Sequence, residues 1–295
     1  MGQMMKPCEQ CGTQTTKPKF CTKQCRWDHS NGKAKPLPPA KIHLVIPDTQ
    51  SEPGRDDYHL GWIAEYCRDR YAGKPLTRIH VGDHWNMGSL SSYDRKGGTR
   101  MEGRRVMADI EKGNDDFRWL EMSDLVWDDH FLMGNHENRI VRAVEQDAQI
   151  EGLLSLDSLD TGNWTRHGFL EPVWLDGVCY SHYFYNPSTG RPYGGENAET
   201  RLKTIGHSFT MGHQQGLKTG MRYVGGKQHR ALIAGSCYLH DEDYLGPQGN
   251  VHWRGIVVCN NVSDGAYDIM EVGLDFLCQR YEGITLAAFI ERYCS

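Results

Sequence analysis

The sequence predicts an α/β protein: an α-β-β-α sandwich, in which two facing mixed sheets are flanked by helices, preceded by a small cysteine-rich unit. Three observations predict it. Strand and helix patterns alternate from residue 41 to residue 146, strands separated by glycine-rich loops follow, and four cysteines lie within the first 25 residues. The alternation indicates a largely parallel sheet with helices on its faces, and the later strands indicate a second sheet against it.

The cysteine-rich unit comes first. Its four cysteines form the pattern C-x2-C-x9-C-x3-C: Cys8, Cys11, Cys21 and Cys25. Two closely spaced thiol pairs can converge on one tetrahedral Zn²⁺. Because so short a segment cannot bury a core, metal binding would supply its folding free energy. We therefore predict one structural zinc in a finger over residues 1–29, with unliganded surface thiols as the alternative.

The N-terminal segment is also basic. Residues 1–41 carry a net charge of +6, so residues 42–295 carry −11 of the total of −5. Lysines and an arginine alternate with Phe20 and Trp27, and this combination suits a phosphate backbone and exposed bases. Nucleic acid is the predicted partner, and contact with another protein is the alternative. Residues 30–40 are proline-rich and predict a linker before the body, residues 41–295.

The first half of the body has three apolar strands, over residues 41–48, 77–83 and 128–137. Helices are predicted between them and after the third, because apolar residues recur there at helical spacing. In the two connecting segments these residues are Leu60, Ile63, Ala64, Cys67, Tyr71, Val106, Ile110, Phe117 and Leu120.

The second half of the body is richer in strands. A hairpin is predicted over residues 171–184, around Asp176 and Gly177. One helix is expected over residues 196–206. Further strands are predicted at 208–213, 227–238 and 253–262.

Potential ligands follow strand after strand: Asp48, Asp83, Asn135, His136, His182 and His213. In open α/β sheets, ligands bind beyond the carboxyl ends of the strands. Each residue has an ordinary structural explanation by itself, such as a helix cap at Asp83 or a core histidine at His182. Together they indicate one shared site.

The order of these residues resembles that of the calcineurin-like metallophosphoesterases, whose motifs are D-x-H, G-D-x-x-D, G-N-H-E/D, a lone histidine and G-H-x-H. The resemblance extends over about residues 41–215. The segments around the motifs resemble those of family members from tailed bacteriophages. It implies hydrolysis of phosphate esters by metal-activated hydroxide, with one or two divalent ions (Mn, Mg, Zn or Fe). The corresponding segments here are DTQ (48–50), GDHWN (82–86), GNHE (134–137), His182 and GHQQ (212–215).

The resemblance also implies roles for single residues. His136 would contact the phosphate and help to protonate the leaving oxygen. The ligands of one metal would be Asp83, Asn135, His182 and His213.

The second metal site departs from the family pattern. Asp83 would bridge both metals and Asp48 would bind the second, but Gln50 and Gln215 replace the two histidines of that site. A glutamine oxygen is a neutral, hard ligand. The site would therefore favour Mg²⁺ or Mn²⁺, fill only when a substrate phosphate adds its own oxygen, or stay empty.

The sequence also bears on location and reaction. It contains no apolar run of about 20 residues and no signal-peptide core at its start, so a cytoplasmic protein is expected (in the host cytoplasm if phage-encoded). The predicted reaction is phosphodiester hydrolysis on nucleic acid. One alternative is a phosphatase acting on small nucleotides or phosphoproteins, with the finger as a protein-contact module. The other is a non-catalytic, metal-containing nucleic-acid-binding protein.

Overall fold

The computed structural model describes residues 5–17, 19–31, 41–92, 98, 101–122, 124–195, 197–242 and 245–294. By its internal contacts the chain divides into two units, Met1–Ala40 and Lys41–Ser295. Most of the predicted linker lies outside the described residues, so the linker stays a prediction.

Strands and helices are numbered along the chain. They are β1 (Lys6–Pro7), β2 (Gln14–Thr15), α1 (Lys23–Ser30), β3 (Lys41–Ile46), α2 (Tyr58–Tyr71), β4 (Thr77–His80), α3 (Val106–Phe117), β5 (Asp128–Leu132), α4 (Arg139–Gln146), β6 (Thr165–His167), β7 (Val173–Leu175), β8 (Val178–Tyr180), β9 (Tyr185–Asn186), β10 (Arg191–Pro192), α5 (Ala198–Ile205), β11 (Phe209–Met211), β12 (Leu217–Val224), β13 (Lys227–Ala234), α6 (Gly246–Gly249), β14 (Gly255–Ser263), β15 (Ala266–Gly273), α7 (Leu274–Glu282) and α8 (Leu286–Tyr293).

The N-terminal unit consists of a two-stranded antiparallel sheet, β1 and β2, followed by α1. Cys8 and Cys11 lie between the two strands. Helix α1 begins after Thr22, whose hydroxyl accepts the backbone N–H of Cys25 at 3.1 Å. This N-cap satisfies one of the free donors of the first turn and places Cys25 there.

The first sheet of the body has six strands in the order β15-β14-β3-β4-β5-β6. Strands β3 to β6 are parallel, but β14 joins β3 antiparallel, with Val258 opposite Leu44. The alternation in the first half correctly predicted the parallel strands β3 to β6, but it did not indicate that β14 and β15 would join this sheet and make it mixed. The reason is that β14 comes from the end of the chain, and local periodicity cannot show which sheet a late strand joins.

The second sheet has five strands in the order β12-β13-β11-β8-β7. Strand β11 is parallel to both of its neighbours, β8 and β13, and β12 is antiparallel to β13. The predicted hairpin around Asp176 and Gly177 is present as β7 and β8. Strand β12 was not predicted, because it lies at an edge where most of its side chains are exposed or half-buried.

Alternation along the strands determines the layers. Val45 and Ile79 of the first sheet and Tyr180 and Leu232 of the second belong to one buried apolar cluster, so these faces lie against each other. The opposite face of the first sheet packs on α2, α3, α7 and α8, and that of the second sheet packs on α5. The predicted α/β architecture, two mixed sheets flanked by helices, is confirmed.

Within the part of the chain that the structure describes, no helix has both the length and the apolar character needed to cross a bilayer.

Candidate metal centre

The predicted ligands follow the carboxyl ends of parallel strands in both sheets. Asp48 and Asp83 follow β3 and β4, which are neighbours in the first sheet. His182 and His213 follow β8 and β11, which are neighbours in the second sheet. Parallel neighbours end at the same edge, and this brings side chains from distant parts of the sequence together.

Three residues form the centre of the site. A carboxylate oxygen of Asp83 and ring nitrogens of His182 and His213 all lie within 4.8 Å of one another, close enough to hold a metal ion. Asn135 joins them through its Oδ1, which is 3.0 Å from His182 Nε2. The other ring nitrogen of His182 donates to the carbonyl of Val81 at 2.7 Å, so Nε2 is directed to the group.

The centre is strongly electrostatic. His182 Nε2 lies 3.3 Å from Asp83 Oδ2. Burial alone would lower the pKa of His182, but the carboxylate of Asp83 raises it to about 9. Burial would likewise raise the pKa of Asp83, but its interactions with the neighbouring residues His136 and His182 hold it far below its ordinary value. The carboxylate of Asp83 is therefore ionised and surrounded by groups that compensate a buried negative charge.

His136 is placed against the same carboxylate. Its backbone N–H donates to Asp83 Oδ1 at 2.9 Å, and its Nε2 lies 3.8 Å from Asp83 Oδ2. Burial lowers the pKa of the imidazole to about 3, below the near-neutral value that suits proton transfer at pH 7. A phosphate anion beside the ring would act in the opposite direction and raise it.

The backbone is strained at this site. Gln50, Asp83 and His213 have positive φ angles of 45°, 53° and 66°, in the left-handed region that non-glycine residues rarely adopt. Each such residue costs on the order of 1–3 kcal/mol, and such costs concentrate at functional sites.

Two motif glycines are required by close approach of other atoms. A Cβ at Gly134 would lie 2.1 Å from Asp83 Oδ1, and one at Gly212 would lie 2.4 Å from Asp48 Oδ1. Any side chain at either position would displace a carboxylate of the site. This explains in physical terms why glycine precedes Asn135 and His213.

The sequence did not reveal the role of Glu137. Its two carboxylate oxygens are fully buried and accept four backbone N–H groups, from Asp83 (3.0 Å), His84 (2.7 Å), Trp85 (3.0 Å) and Gly134 (2.7 Å). Glu137 thereby ties the loop that carries Asp83 to the loop that carries Asn135 and His136. The sequence shows Glu137 as the last residue of GNHE, but no local sequence pattern indicates which backbone N–H groups its carboxylate accepts.

Asp48 and Gln50 lie beside the central group. Asp48 Oδ1 accepts the backbone N–H of His213 at 3.1 Å, and the backbone N–H of Gln50 donates to the carbonyl of Asp83 at 3.0 Å. Asp48 Oδ2 and Gln50 Oε1 are buried and have no hydrogen-bond partner among the described residues. Buried acceptors without a donor are costly, and carboxylate and amide oxygens are the ligands that Mg²⁺ and Mn²⁺ prefer. These two residues therefore fit an oxygen-ligated cation.

The free-energy cost of ionising the buried Asp48 supports the same conclusion. Burial and the neighbouring charge of Asp83 raise the pKa of Asp48 to about 8. Two buried carboxylates side by side repel each other, and a divalent cation relieves that repulsion.

Gln215 is arranged differently from Gln50. Its Oε1 accepts the hydroxyl of Tyr238 at 3.0 Å. The ring of Tyr238 itself packs against the ring of His240 (centroids 4.8 Å apart, 22° between planes) and the guanidinium of Arg254 (4.8 Å from the ring centroid). The structure thus distinguishes the two glutamines: the oxygen of Gln215 already has a rigid donor, and that of Gln50 does not. No sequence pattern indicated this contact.

This difference predicts unequal effects of two isosteric substitutions. We expect Gln50→Met to weaken the lower-affinity Mn²⁺ site about tenfold, which is about 1.4 kcal/mol, because it removes the open amide oxygen. We expect Gln215→Met to leave that affinity within about twofold. Mn²⁺ titration followed by electron paramagnetic resonance measures both. An unchanged affinity in Gln50→Met, or one and the same single site in all three proteins, would show that Gln50 is not a ligand. Equal losses in both variants would show that the contact with Tyr238 does not keep Gln215 from the metal.

The four cysteines of the N-terminal unit form a second possible metal site. Their sulfur atoms lie within 4.8 Å of one another, and those of Cys11, Cys21 and Cys25 are separated by 3.5 to 3.7 Å. A tetrahedral zinc with Zn–S bonds of about 2.3 Å requires sulfur separations of about 3.8 Å. Hydrogen bonds with the neighbouring thiols of Cys25 and Cys11 raise the pKa of Cys21 to about 12, and a bound cation would act in the opposite direction by favouring the thiolate. The donor set and its spacing therefore fit a tetrahedral cation.

No protein-family model matches the chain, and no curated protein matches it either.

Proposed function

We propose that this chain is a metal-dependent phosphoesterase with a calcineurin-like metallophosphoesterase fold, and that it hydrolyses phosphodiester bonds in nucleic acid. One observation carries the proposal: His136 is held against Asp83, the carboxylate around which His182 and His213 converge. A purely structural metal site needs ligands but has no use for a further imidazole. The Nδ1 of His136 is buried and has no hydrogen-bond partner within the described ranges.

The residues divide into two sets. Asp83, Asn135, His182 and His213 would hold one divalent ion, and Asp48, Gln50 and Asp83 would offer oxygens to a second. Such an ion supplies Lewis acidity and lowers the pKa of water at neutral pH.

His136 would act on the substrate rather than on the metal. Its imidazole is neutral, so it can donate one N–H to a phosphate oxygen. The negative charge of that phosphate favours uptake of a second proton, which the departing oxygen can then receive.

The N-terminal unit supports a nucleic-acid substrate. With one structural zinc it would present its lysines together with Trp27, whose side chain is 56% exposed. Exposed aromatic rings stack on bases, and lysines neutralise phosphates. Residues 42–295, in contrast, carry a net charge of −11 and repel a polyanion, so we assign the first contact with the polymer to the finger.

The acidic body also favours a second candidate. A small nucleotide or a phosphoprotein needs no basic track to reach the metal centre. In that case the protein is a phosphatase, and the finger binds a partner protein.

Activity measurements test the proposal. The purified chain is assayed with Mn²⁺, Mg²⁺ or Zn²⁺ on bis-p-nitrophenyl phosphate, p-nitrophenyl phosphate, and single- and double-stranded DNA. We expect His136→Ala to lower kcat by about 100-fold or more, the usual contribution of a proton-transferring group. His207→Ala, which changes a histidine before β11 and outside the centre, should retain activity.

The possible outcomes separate the candidates. Hydrolysis of the monoester alone favours the phosphatase. Equal behaviour of wild type and His136→Ala on every substrate and metal would contradict an enzymatic role and leave the non-catalytic alternative.

A further inference from the structure

A row of three aromatic rings leads away from the metal centre. The ring of His213 is 4.8 Å from that of Tyr183, and the ring of Tyr183 is 5.5 Å from that of Tyr185, measured between centroids. Since His213 belongs to the central group, the row begins at the metal site. Tyr183 is buried, but Tyr185 is 47% exposed, so the row ends at the surface.

The row is held in place by the surrounding structure. Tyr185 lies in β9, which pairs with β10 so that Tyr185 is opposite Pro192. Tyr183 packs edge-on against Phe169, with centroids 5.7 Å apart. The rings are therefore positioned before any substrate binds, which reduces the entropy that binding must overcome.

Arg142 places a positive charge near Asn135 and Tyr183. The guanidinium of Arg142, an exposed residue of α4, donates to the carbonyl of Asn135 at 3.0 Å. Burial raises the pKa of the Tyr183 hydroxyl above its ordinary value, and the charge of Arg142 opposes this rise. An aromatic surface and a cation thus adjoin the metal centre together.

This combination matches the chemistry of a nucleotide, in which a flat ring is joined through a sugar to a phosphate. Stacking of a base on an aromatic side chain contributes about 1–3 kcal/mol, largely independent of the base. Bases in a duplex already stack on each other and are paired. Only an unpaired base can therefore stack on an aromatic side chain of the protein.

We propose that Tyr183, Tyr185 and His213 form a stacking subsite for an unpaired nucleobase next to the phosphate that is hydrolysed, so that the substrate is single-stranded nucleic acid. This inference rests on the proposed function, because that function places the phosphate at the metal centre. Tyr185 is the specificity-determining residue of the subsite, because it is the exposed tyrosine of the row and is not among the residues assigned to the metal.

Binding of two small phosphates to the full chain with Mn²⁺ tests the subsite without catalysis. Adenosine 5′-monophosphate and ribose 5-phosphate carry the same phosphate and differ by the base, and isothermal titration calorimetry gives both affinities. We expect the nucleotide to bind about tenfold more tightly, within the range known for one stacked base. Tyr185→Ala should remove this preference and leave the affinity for ribose 5-phosphate unchanged.

Tyr185→Phe is the matched control, because it keeps the ring and should keep the preference. Circular dichroism of all three proteins shows whether Tyr185→Ala is folded. Equal affinities of the two phosphates in wild type, no binding of either, or a preference that survives Tyr185→Ala would each overturn the subsite. A preference that behaves as expected in a protein without hydrolytic activity would instead refute the proposed reaction and retain the subsite.

Discussion

A Cys21→Ser variant is expected to lose one equivalent of bound zinc and, with it, the folded structure of residues 5–31. The reason is that this unit has almost no core. Among its described residues only Cys8, Gln10 and Thr15 are buried, and helix α1 buries none of its side chains. Structural zinc contributes about 10–16 kcal/mol in finger peptides, so a zinc bound by the four cysteines would supply most of the folding free energy of this unit.

Cys21 is the most informative of the four thiols to replace. Its sulfur lies 3.5 Å from those of both Cys11 and Cys25, and its backbone N–H donates to Cys8 Sγ at 3.4 Å. Serine offers a hard hydroxyl in place of a soft thiolate and is a poor ligand for Zn²⁺.

Zinc content by mass spectrometry and limited proteolysis measure the result. We expect cleavage within the first 40 residues, while residues 41–295 resist the protease, because the body has its own apolar clusters. Cys294→Ser, a thiol of the body, serves as the control and should change neither property. Unchanged zinc content and unchanged protection in Cys21→Ser would show that the four sulfurs do not share a metal.

The features that could be predicted from the sequence are those with a local signal. The cysteine spacing marked a site whose sulfurs lie together. The residues at the strand ends could be recognised because each follows an apolar run directly, and parallel strands bring their ends to one edge. Asp83, His182 and His213 do converge, although the first two are 99 positions apart in the sequence.

The features that could not be predicted depend on contacts between distant segments. Strand β14 looks like any buried strand until its pairing with β3 is known. The hydrogen bond from Tyr238 to Gln215 links a loop after β11 to a loop after β13, and neither tyrosine nor glutamine carries a spacing rule. For the same reason, the sequence did not predict the four backbone N–H groups that the Glu137 carboxylate accepts.

Replacing Glu137 with glutamine is expected to lower the free energy of unfolding by about 3–5 kcal/mol, the usual cost of breaking a buried charged network. One carboxylate oxygen accepts the N–H groups of Asp83 and Gly134, and the other accepts those of His84 and Trp85. A glutamine side chain has one oxygen, so it can serve only one pair. Its NH₂ group would face the other pair, donor against donor, in a site that excludes water.

We expect Glu137→Gln to lower the affinity for Mn²⁺ as well as the free energy of unfolding. The Glu137 carboxylate fixes the backbone of Asp83, which offers the central carboxylate, and of the loop that carries Asn135 and His136. Removal of such a supporting contact typically costs about 10–100-fold in metal affinity. Burial and the charge of Asp83 raise the pKa of Glu137 to about 7, so the comparison is made at pH 8, where the wild-type carboxylate is ionised.

Glu145→Gln removes the same charge from an exposed position on α4 and should change stability by less than about 0.5 kcal/mol. Urea unfolding gives the stabilities, and Mn²⁺ titration gives the affinities. The two effects of Glu137→Gln should appear together, because a single carboxylate joins the two loops. A variant that is destabilised but binds Mn²⁺ as wild type does would show that the loops keep their relative position without Glu137. In that case the close contacts of Gly134 with Asp83, rather than the carboxylate, would position the metal centre.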